Sequence, residues 1–385
     1  MKKVLKCISV VMVLVVAFAA CAPAAAPAPA TPAAEPPAAA PADAPAAGGI
    51  AAADIRIALV AHSPDSILDD GSFNEGSMAG IQRFLQSHGL PAANAEFFQP
   101  HSPDDATRID LVEGAVGRGF NFLVLPGFHF IASSYEMQDL FPDAKFVLLD
   151  ASPAGAGGVR IESNLAAIHY AEEEAGFLAG YAAVMEGYRN LGFMGGLPVP
   201  AVIRFGHGYI QGAEYAAASL GLSPGEVTIN YHYLGGFAPD PAHVTTAAAW
   251  FAAGTEVIFA AAGGAGFNVM SAAEAAGAST IGVDVDQSGL SDSVITSAMK
   301  ALDVSIYDML TDFMNGNFRG GQELLFDASV NGVGLPMSNS RFTNFTQAQY
   351  DAVYASLAEG RIRVNNSQEL SDILANISLV TVNEM

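Results

Sequence analysis

The stretch Ile55-Arg56-Ile57-Ala58-Leu59-Val60, followed by Phe73 to His88, carries the pattern from which the fold is predicted. The first run is short and apolar, which is typical of a buried strand, and the second has the length and spacing of an amphipathic helix. The same pairing repeats downstream, with strands expected at 95–99, 121–125 and 145–150 and helices at 104–117 and 131–140. This alternation predicts a parallel sheet covered by helices on both faces.

A second series of the same kind follows a segment rich in glycine, alanine and proline at 151–158. It opens with a helix expected over 164–187, and its strands are expected at 191–194, 226–231, 256–260 and 280–284. The chain is therefore predicted to be an α/β protein with two doubly wound, Rossmann-like lobes around a ligand cleft. The predicted division is lobe 1 over 54–162, with roughly 290–336 returning to it, and lobe 2 over 163–289, with part of 337–385.

Composition excludes two classes of protein. The 385 residues include 39 acidic and 16 basic side chains, which gives a formal net charge of −23. Nucleic acid is therefore not an expected partner, because phosphate backbones recruit basic surfaces. Beyond the first twenty residues there is no long apolar run, which argues against a polytopic membrane protein.

The first 21 residues are predicted to be a signal peptide, with a basic start, an apolar stretch and small residues at its end. The two cysteines of the chain, Cys7 and Cys21, both lie here, so the folded part contains no disulfide. Phe18-Ala19-Ala20-Cys21 resembles the lipobox of bacterial lipoproteins, with Phe18 where leucine is usual. In that pattern Cys21 becomes the lipidated first residue; the alternative is cleavage at a nearby Ala-x-Ala site, which would release the protein.

Residues 22–53 are predicted to be a tether, because alanine and proline dominate them and no aromatic residue interrupts the run. At roughly 3 Å per residue, such a segment could extend on the order of 80 Å from a membrane. The combination of a lipid anchor and a tether predicts a location on the extracytoplasmic face of the cell membrane, at the cell surface or in the periplasm.

The loop from Ile67 to Asn74 is the first candidate binding segment, because it follows the first strand and opens the first helix. Phe73 can stack on a flat ligand, and Asn74 can both donate and accept hydrogen bonds. The alternative for the acids of this loop is helix capping by Asp70 or Ser72.

Further candidates follow strands of the second series. The turn Gly263-Gly264-Ala265-Gly266 lacks the lysine of a P-loop and the third glycine of a dinucleotide fingerprint, so Gly264 marks either a tight turn or close backbone approach to a ligand. Asp284 ends a strand, where a carboxylate suits bidentate hydrogen bonding to vicinal hydroxyls, and a solvated loop residue is the alternative. Lys300 is one of two lysines beyond the first 21 residues, which favours a specific role for it. Phe205 again puts an aromatic residue after a strand, where ordinary packing is the alternative.

The eight histidines have no metal-ligand spacing, so neither a metal nor a cofactor is predicted.

Together these segments resemble the basic membrane protein family of bacterial substrate-binding lipoproteins, whose best understood members are purine nucleoside receptors. The likeness runs from about Ile55 to Arg363, and its ordered motifs are DDGSFNEGSMAG, EEEAGFLAGYAA, GFMGG, EVIFAAAGGAG, IGVDVDQ and TSAMK. The resemblance implies the type I periplasmic-binding fold, in which two hinged lobes close on a small molecule. It also implies the permease and ATPase subunits of an ABC importer as partners, and no enzymatic activity.

The resemblance further implies roles for individual residues. Phe73 and Phe205 match aromatics that sandwich a purine, and Asn74 matches the asparagine beside the first of them. The positions that hold the ribose in the family correspond to Gly264, Asp284 and Lys300.

One departure concerns the base edge. Purine receptors commonly carry an aspartate at the end of the first strand, where this sequence has His62 and a longer loop before the first aromatic. Asp65 and Asp69 are candidates to replace that aspartate. Within this region, His62 and Asp70 are included among the expected ligand-binding residues.

Three alternatives remain open at this stage. The flat ligand of some family members is a flavin vitamin, so riboflavin competes with a nucleoside. A tethered sensor without transport has the same sequence features as an importer receptor. A nucleoside hydrolase is the third alternative, but its calcium signature is incomplete because Ser63 stands where its first aspartate belongs.

Overall fold

The computed structural model describes residues 49–385, so the predicted signal peptide, Cys21 and nearly all of the predicted tether lie outside the described residues. The strands are β1 (Ile57–Val60), β2 (Ala95–Phe98), β3 (Phe122–Pro126), β4 (Lys145–Leu149), β5 (Ala154–Gly155), β6 (Gly158–Val159), β7 (Leu165–Tyr170), β8 (Asn190–Gly195), β9 (Val227–Tyr233), β10 (Val257–Ala261), β11 (Ser279–Asp284), β12 (Val294–Lys300), β13 (Gln322–Phe326), β14 (Val333–Gly334) and β15 (Val380–Glu384). The α-helices are α1 (Phe73–Ser87), α2 (Asp105–Gly117), α3 (Ile131–Leu140), α4 (Glu172–Glu186), α5 (Pro200–Leu220), α6 (Pro241–Ala252), α7 (Gly266–Ala276), α8 (Leu302–Met314), α9 (Gln347–Ala358) and α10 (Leu370–Leu374).

Two sheets organise the fold. The first has six strands in the order β13-β7-β4-β3-β1-β2, and all of its pairings are parallel. The second has seven strands in the order β14-β12-β11-β10-β8-β9-β15, parallel except for the antiparallel β14. In both sheets the central strands are buried along their whole length, as in parallel sheets that helices cover on both faces. The predicted α/β fold with two doubly wound lobes is confirmed.

The chain crosses between the two sheets three times. It does so between β7 and α4, between β12 and α8, and between β13 and β14. Backbone hydrogen bonds tie these crossovers together: Ala171 N donates to Phe326 O at 3.1 Å, and Ala301 N donates to Gly332 O at 2.9 Å. The crossovers therefore form one hydrogen-bonded hinge region.

The sequence prediction for the first crossover is wrong. A helix was expected from Asn164, but residues 165–170 form β7, which pairs with β4, and α4 begins only at Glu172. The boundary of lobe 1 at residue 162 is therefore too early by one strand. The segment Leu165–Tyr170 contains two alanines, which favour a helix locally, whereas burial against β4 and β13 makes it a strand.

Two other expected boundaries also differ from the structure. Within the segment 290–336 that was assigned to lobe 1, β12 and β14 pair in the second sheet, and only α8 and β13 join the first lobe. The tether was expected to reach residue 53, but Ile50 N already donates to Met314 O at 3.0 Å, so the folded part begins by Ile50.

Helices α4 and α5 pack unusually closely, and glycines make this possible. A Cβ atom on Gly180 would lie 2.0 Å from the Tyr209 carbonyl oxygen, and one on Gly212 would lie 1.9 Å from the Phe177 carbonyl oxygen. Gly176 and Gly208 are equally tight, so the two backbones touch over two helical turns. This contact brings the first turn of α4 beside the first turns of α5.

Candidate functional site

The Lys300 side chain lies at the centre of a buried charged cluster. Its Nζ is 2.6 Å from Asp150 Oδ2, 3.2 Å from Glu172 Oε1 and 3.5 Å from Asp284 Oδ1. Asp150 directly follows β4 of the first sheet, Asp284 ends β11 of the second sheet, and Glu172 opens α4 just after a crossover. We call these four residues the Lys300 cluster. Because carboxyl ends of parallel strands from both lobes meet here, it lies where ligands bind in doubly wound folds.

The backbone conformations of Asp150 and Asp284 direct their carboxylates towards Lys300. Asp150 has φ 61° and Asp284 has φ 65°, both in the left-handed region that residues other than glycine rarely adopt. Such conformations cost free energy and persist where the surrounding structure enforces them, often at functional sites. The sharp turn at the end of each strand directs the carboxylate towards Lys300.

Aromatic rings surround the same ammonium. Lys300 Nζ lies 4.9 Å from the ring centre of Phe73, 5.3 Å from that of Phe205 and 5.6 Å from that of Tyr170. Phe73 begins α1 on the first lobe, whereas Phe205 lies near the start of α5 on the second. The structure thus brings together Phe73, Phe205, Asp284 and Lys300, four of the residues selected from sequence.

The loop before α1 contacts the second lobe directly. Ser72 Oγ donates to Asp284 Oδ2 at 2.7 Å, and Gln287 Nε2 donates to the Gly71 carbonyl oxygen at 2.7 Å. Both hydrogen bonds are buried, so this loop holds the lobes together beside the cluster.

Asp70 and Asn74 have structural partners in this loop. Asp70 accepts hydrogen bonds from the backbone N–H groups of Ser72, Asn74 and Glu75, which is the capping role that the sequence left open. Burial, opposed by these hydrogen bonds, raises the pKa of Asp70. The Asn74 side-chain amide donates to the Ile67 carbonyl oxygen at 3.0 Å. Both side chains therefore shape the loop that carries Phe73.

His62 lies at the end of β1 and stacks on His129, with ring centres 4.1 Å apart and planes within 9°. Its Nδ1 is 3.2 Å from Ser66 Oγ. Burial, followed by the positive charge of Arg108, lowers the pKa of His62, and burial with these neighbours lowers the pKa of His129 to about 4. Both imidazoles are therefore neutral at pH 7, and each can donate or accept a hydrogen bond at the edge of the first sheet.

Gly264 lies in a 3-10 turn, Gly263–Ala265, after β10. A Cβ atom at this position would lie 3.2 Å from both the Phe237 carbonyl oxygen and a ring carbon of Pro239. Ala265 N donates to the same carbonyl at 2.8 Å. The turn is thus packed against the loop after β9, and its positive φ belongs to Gly263.

Charges within the cluster are strongly coupled. Burial opposes the charge on Lys300, but the three carboxylates outweigh burial and raise its pKa well above the usual range. Burial raises the pKa of Asp150 to about 7 although Lys300 opposes this shift. For Glu172, Lys300 and Arg204 outweigh burial, so its pKa is lowered. Lys300 is therefore a permanent cation at neutral pH.

Some buried oxygens of the cluster have no hydrogen-bond donor. Asp150 Oδ1 is buried without a partner, and Glu172 Oε1 contacts Lys300 at ion-pair distance without hydrogen-bond geometry. Unpaired acceptors of this kind are costly in a protein interior. A ligand that offers hydroxyl or N–H donors would satisfy them.

Sequence reasoning missed Asp150, Tyr170, Glu172 and Arg204. A signal for Asp150 was present, because it follows a strand just as Asp284 ends one. Glu172 stands in a run of three glutamates at a helix start, where acids usually face solvent and favour the helix dipole. Its complete burial follows from the close packing of α4 on α5 and leaves no mark in the sequence.

Other site types find no support in the described part of the chain. Among residues 49–385, no group of three or more histidine, cysteine, aspartate and glutamate side chains is arranged to hold a metal ion. Over the same range, no helix combines the length and apolar character needed to cross a membrane.

Two doubly wound lobes, three crossovers and a polar cluster where the strands end define a binding protein of the type I periplasmic-binding class. Solved structures with this fold include an ABC transporter solute-binding protein from Aeropyrum pernix K1, at 20% identity and a TM-score of 0.69, covering 83% of this chain and 96% of that one. Another, from Conexibacter woesei, has 22% identity and a TM-score of 0.64, covering 81% and 99%.

Residues 57–368 match the Bmp family, described as PnrA-like ABC transporter substrate-binding proteins, and the chain belongs to this family. The predicted membership of the basic membrane protein family is confirmed. The chain is 32% identical to basic membrane protein D of Borreliella burgdorferi over 288 residues, covering 74% of this chain and 80% of the relative. It is 26% identical to the ABC transporter nucleoside-binding protein BmpA of Lactococcus lactis over 312 residues, covering 76% and 84%.

Proposed function

We propose that this protein binds a nucleoside, most readily a purine nucleoside, between its lobes and delivers it to the permease and ATPase of an ABC importer. The observation that carries the proposal is the convergence of Phe73, Phe205 and Lys300, with both ring centres within 5.3 Å of one ammonium. The Lactococcus lactis relative is named as a nucleoside-binding protein, which supports the same ligand class.

The chemistry of the site suits both halves of a nucleoside. Aromatic faces stack on a planar base, and Phe73 and Phe205 supply one face from each lobe. Asp284 and Asp150 can accept hydrogen bonds from vicinal hydroxyls, while Lys300 can donate to a hydroxyl or ring oxygen. None of these contacts requires a nucleophile, so the proposed role is binding and release.

The proposal is tested by a thermal-unfolding panel on the purified protein, which is first unfolded and refolded to remove any co-purified ligand. The panel contains purine and pyrimidine nucleosides, free bases, riboflavin and simple sugars. A ligand at a thousand times its dissociation constant stabilises the native state by about 4 kcal/mol. Stabilisation by a nucleoside supports the proposal. Stabilisation by riboflavin or a sugar, but by no nucleoside, would contradict the proposed ligand. It would still support the role of a small-molecule receptor.

Replacing either aromatic residue should weaken binding of the stabilising ligand. Phe73→Ala and Phe205→Ala are each expected to cost roughly 1–3 kcal/mol of binding free energy, because each removes one stacking face. Isothermal titration calorimetry measures this loss. A suitable control is Phe318→Ala, since Phe318 packs edge-on against Phe122 and Phe313 instead of facing Lys300. Unchanged affinity in both Phe73→Ala and Phe205→Ala would remove the stacking role.

We also propose that Cys21 carries a lipid anchor on the extracytoplasmic face. The lipobox-like sequence before Cys21 supports this, as does the 27% identity of the chain to an uncharacterized lipoprotein of Pyrococcus abyssi. Cys21→Ser should move the protein from the membrane fraction to the soluble fraction, as followed by fractionation and immunoblotting. Cys7→Ser is the matched control and should leave the protein membrane-bound. Retention of Cys21→Ser in membranes would contradict the anchor.

A further inference from the structure

A chain of ion pairs reaches Lys300 from α5. Arg204 Nε lies 2.6 Å from Glu172 Oε2, and Glu172 Oε1 lies 3.2 Å from Lys300 Nζ. We propose that Arg204 and Glu172 are positioning residues that hold the Lys300 ammonium where the ligand meets it. This inference rests on the proposed function, because it takes Lys300 to be a ligand-binding group.

The three residues occupy special places in the chain. Glu172 directly follows Ala171 of the first crossover, and Lys300 directly precedes the second. Arg204 directly precedes Phe205, whose ring also faces the ammonium. The ion-pair chain therefore connects the hinge region, the binding lysine and one of the two stacking aromatics.

Because these charged side chains are buried, each of them needs a partner of opposite charge. Glu172 is fully buried, and the Arg204 side chain is 15% exposed. A buried carboxylate without a cation is strongly unfavourable, so Glu172 remains ionised here only because both cations contact it. Arg204 thus acts on Lys300 through Glu172.

The lobes differ in what they contribute to Lys300. Asp150 belongs to the first lobe, so its hydrogen bond to Lys300 exists only when the lobes are together. Glu172, Arg204 and Lys300 lie on α4, α5 and β12, which pack together in the second lobe. These contacts persist when the lobes separate, so they keep the lysine in its binding conformation before the ligand arrives. Preorganisation of this kind lowers the entropy lost on binding.

A measurement without ligand tests the positioning itself. Residues 49–385 contain two lysines, Lys300 and the partly exposed Lys145, so the acylation rate of Lys300 by acetic anhydride can be referred to Lys145 by peptide mass spectrometry. In the unmodified full-length protein, Lys300 should react more than tenfold more slowly than Lys145. Glu172→Gln should raise the Lys300 rate at least tenfold, because loss of one ion pair lowers the pKa of the amine and frees the side chain.

The control and the conservative variants separate positioning from general loosening. Glu173→Gln is the control, because Glu173 is the next residue in the same turn of α4 and its carboxylate lies farther from Arg204, at 3.7 Å. This variant should leave the ratio of the Lys300 and Lys145 acylation rates unchanged. Arg204→Gln should raise the Lys300 rate, and Arg204→Lys should restore part of the protection. An unchanged Lys300 rate in folded Glu172→Gln overturns the proposal. Where that variant does not fold, an unchanged rate in Arg204→Gln overturns it.

Inosine binding tests the consequence for the ligand. Glu172→Gln should weaken inosine binding at least tenfold while Glu173→Gln stays within twofold. In a Lys300→Met background, Glu172→Gln should cause no further loss, because both changes act on one group. If the unmodified protein binds no nucleoside at all, the proposed function is wrong. The acylation rates would still test whether Glu172 and Arg204 position Lys300. If it binds inosine and both Glu172→Gln and Arg204→Gln bind equally well, the positioning role is overturned.

Discussion

Lys300→Met is expected to destabilise the protein by about 3–5 kcal/mol at pH 8. The substitution keeps most of the side-chain volume but removes the cation that Asp150, Glu172 and Asp284 share. Three buried carboxylates then face one another with only Arg204 nearby. Urea unfolding of the variant and the unmodified protein measures the difference in the free energy of unfolding.

The loss should depend on pH in a definite direction. Burial raises the pKa of Asp150 in the folded protein to about 7 even with the lysine present, and loss of the opposing Lys300 charge raises it further. Groups with a raised folded pKa bind extra protons on folding, so stability is lost as pH rises through the folded pKa. The deficit should therefore be largest at pH 8 and smaller at pH 5.

Lys145→Met is the matched control for this prediction. Lys145 is partly exposed and has no ion pair among the described residues, and its ammonium lies 5.8 Å from the ring centre of Phe318. Its replacement should change the free energy of unfolding by about 0.5 kcal/mol or less. An equal deficit for Lys300→Met at pH 5 and pH 8 would show that lost packing, and not unpaired charge, causes the destabilisation.

Gly212→Ala should also be strongly destabilising, by about 3 kcal/mol or more, because overpacking a tight contact moves backbone. The new methyl group would lie 1.9 Å from the Phe177 carbonyl oxygen, so α4 and α5 must separate. Separation would also shift Glu172 relative to Arg204. Thermal unfolding measures the first effect and ligand affinity the second.

Gly114→Ala is the control for the helix-propensity contribution. Gly114 lies inside α2, is exposed, and would place its new Cβ atom with nothing within 4 Å. Alanine should stabilise this helix by about 0.5–1 kcal/mol. Stabilisation by both substitutions would mean that the contact between α4 and α5 is looser than the structure indicates.

Much of the fold could be predicted from the sequence because the buried strands of a parallel sheet appear as short, contiguous apolar runs. The strands expected at 121–125 and 145–150 correspond to β3 and β4, since a strand buried on both faces must be a short apolar run. The strand expected at 95–99 corresponds to β2, a partly buried strand at the edge of the same sheet. The failure at β7 has the complementary cause. Leu165–Tyr170 contains helix-favouring alanines, and only its pairing with β4 and β13 makes it a strand.

The residues of the candidate site likewise fall into two groups: those that could be selected from the sequence and those that could not. Phe73, Asp284 and Lys300 could be selected because each stands at a strand or helix end with an unusual side chain for that position. Glu172 and Arg204 could not, because a glutamate in a run of three and an arginine inside a helix are ordinary surface residues by pattern.

The sequence by itself determined the α/β class, the two lobes and the family, because these depend on periodicity and on motifs that are contiguous in the chain. Only the tertiary structure decided which strands join which sheet and which charges meet. Lys300 and Asp150 are 150 positions apart in sequence and 2.6 Å apart in space. That pairing is set by the ends of strands in two different sheets, whereas the glycine contact between α4 and α5 brings Glu172 to Arg204. No local pattern encodes such a distance, because its cause is the packing of whole elements.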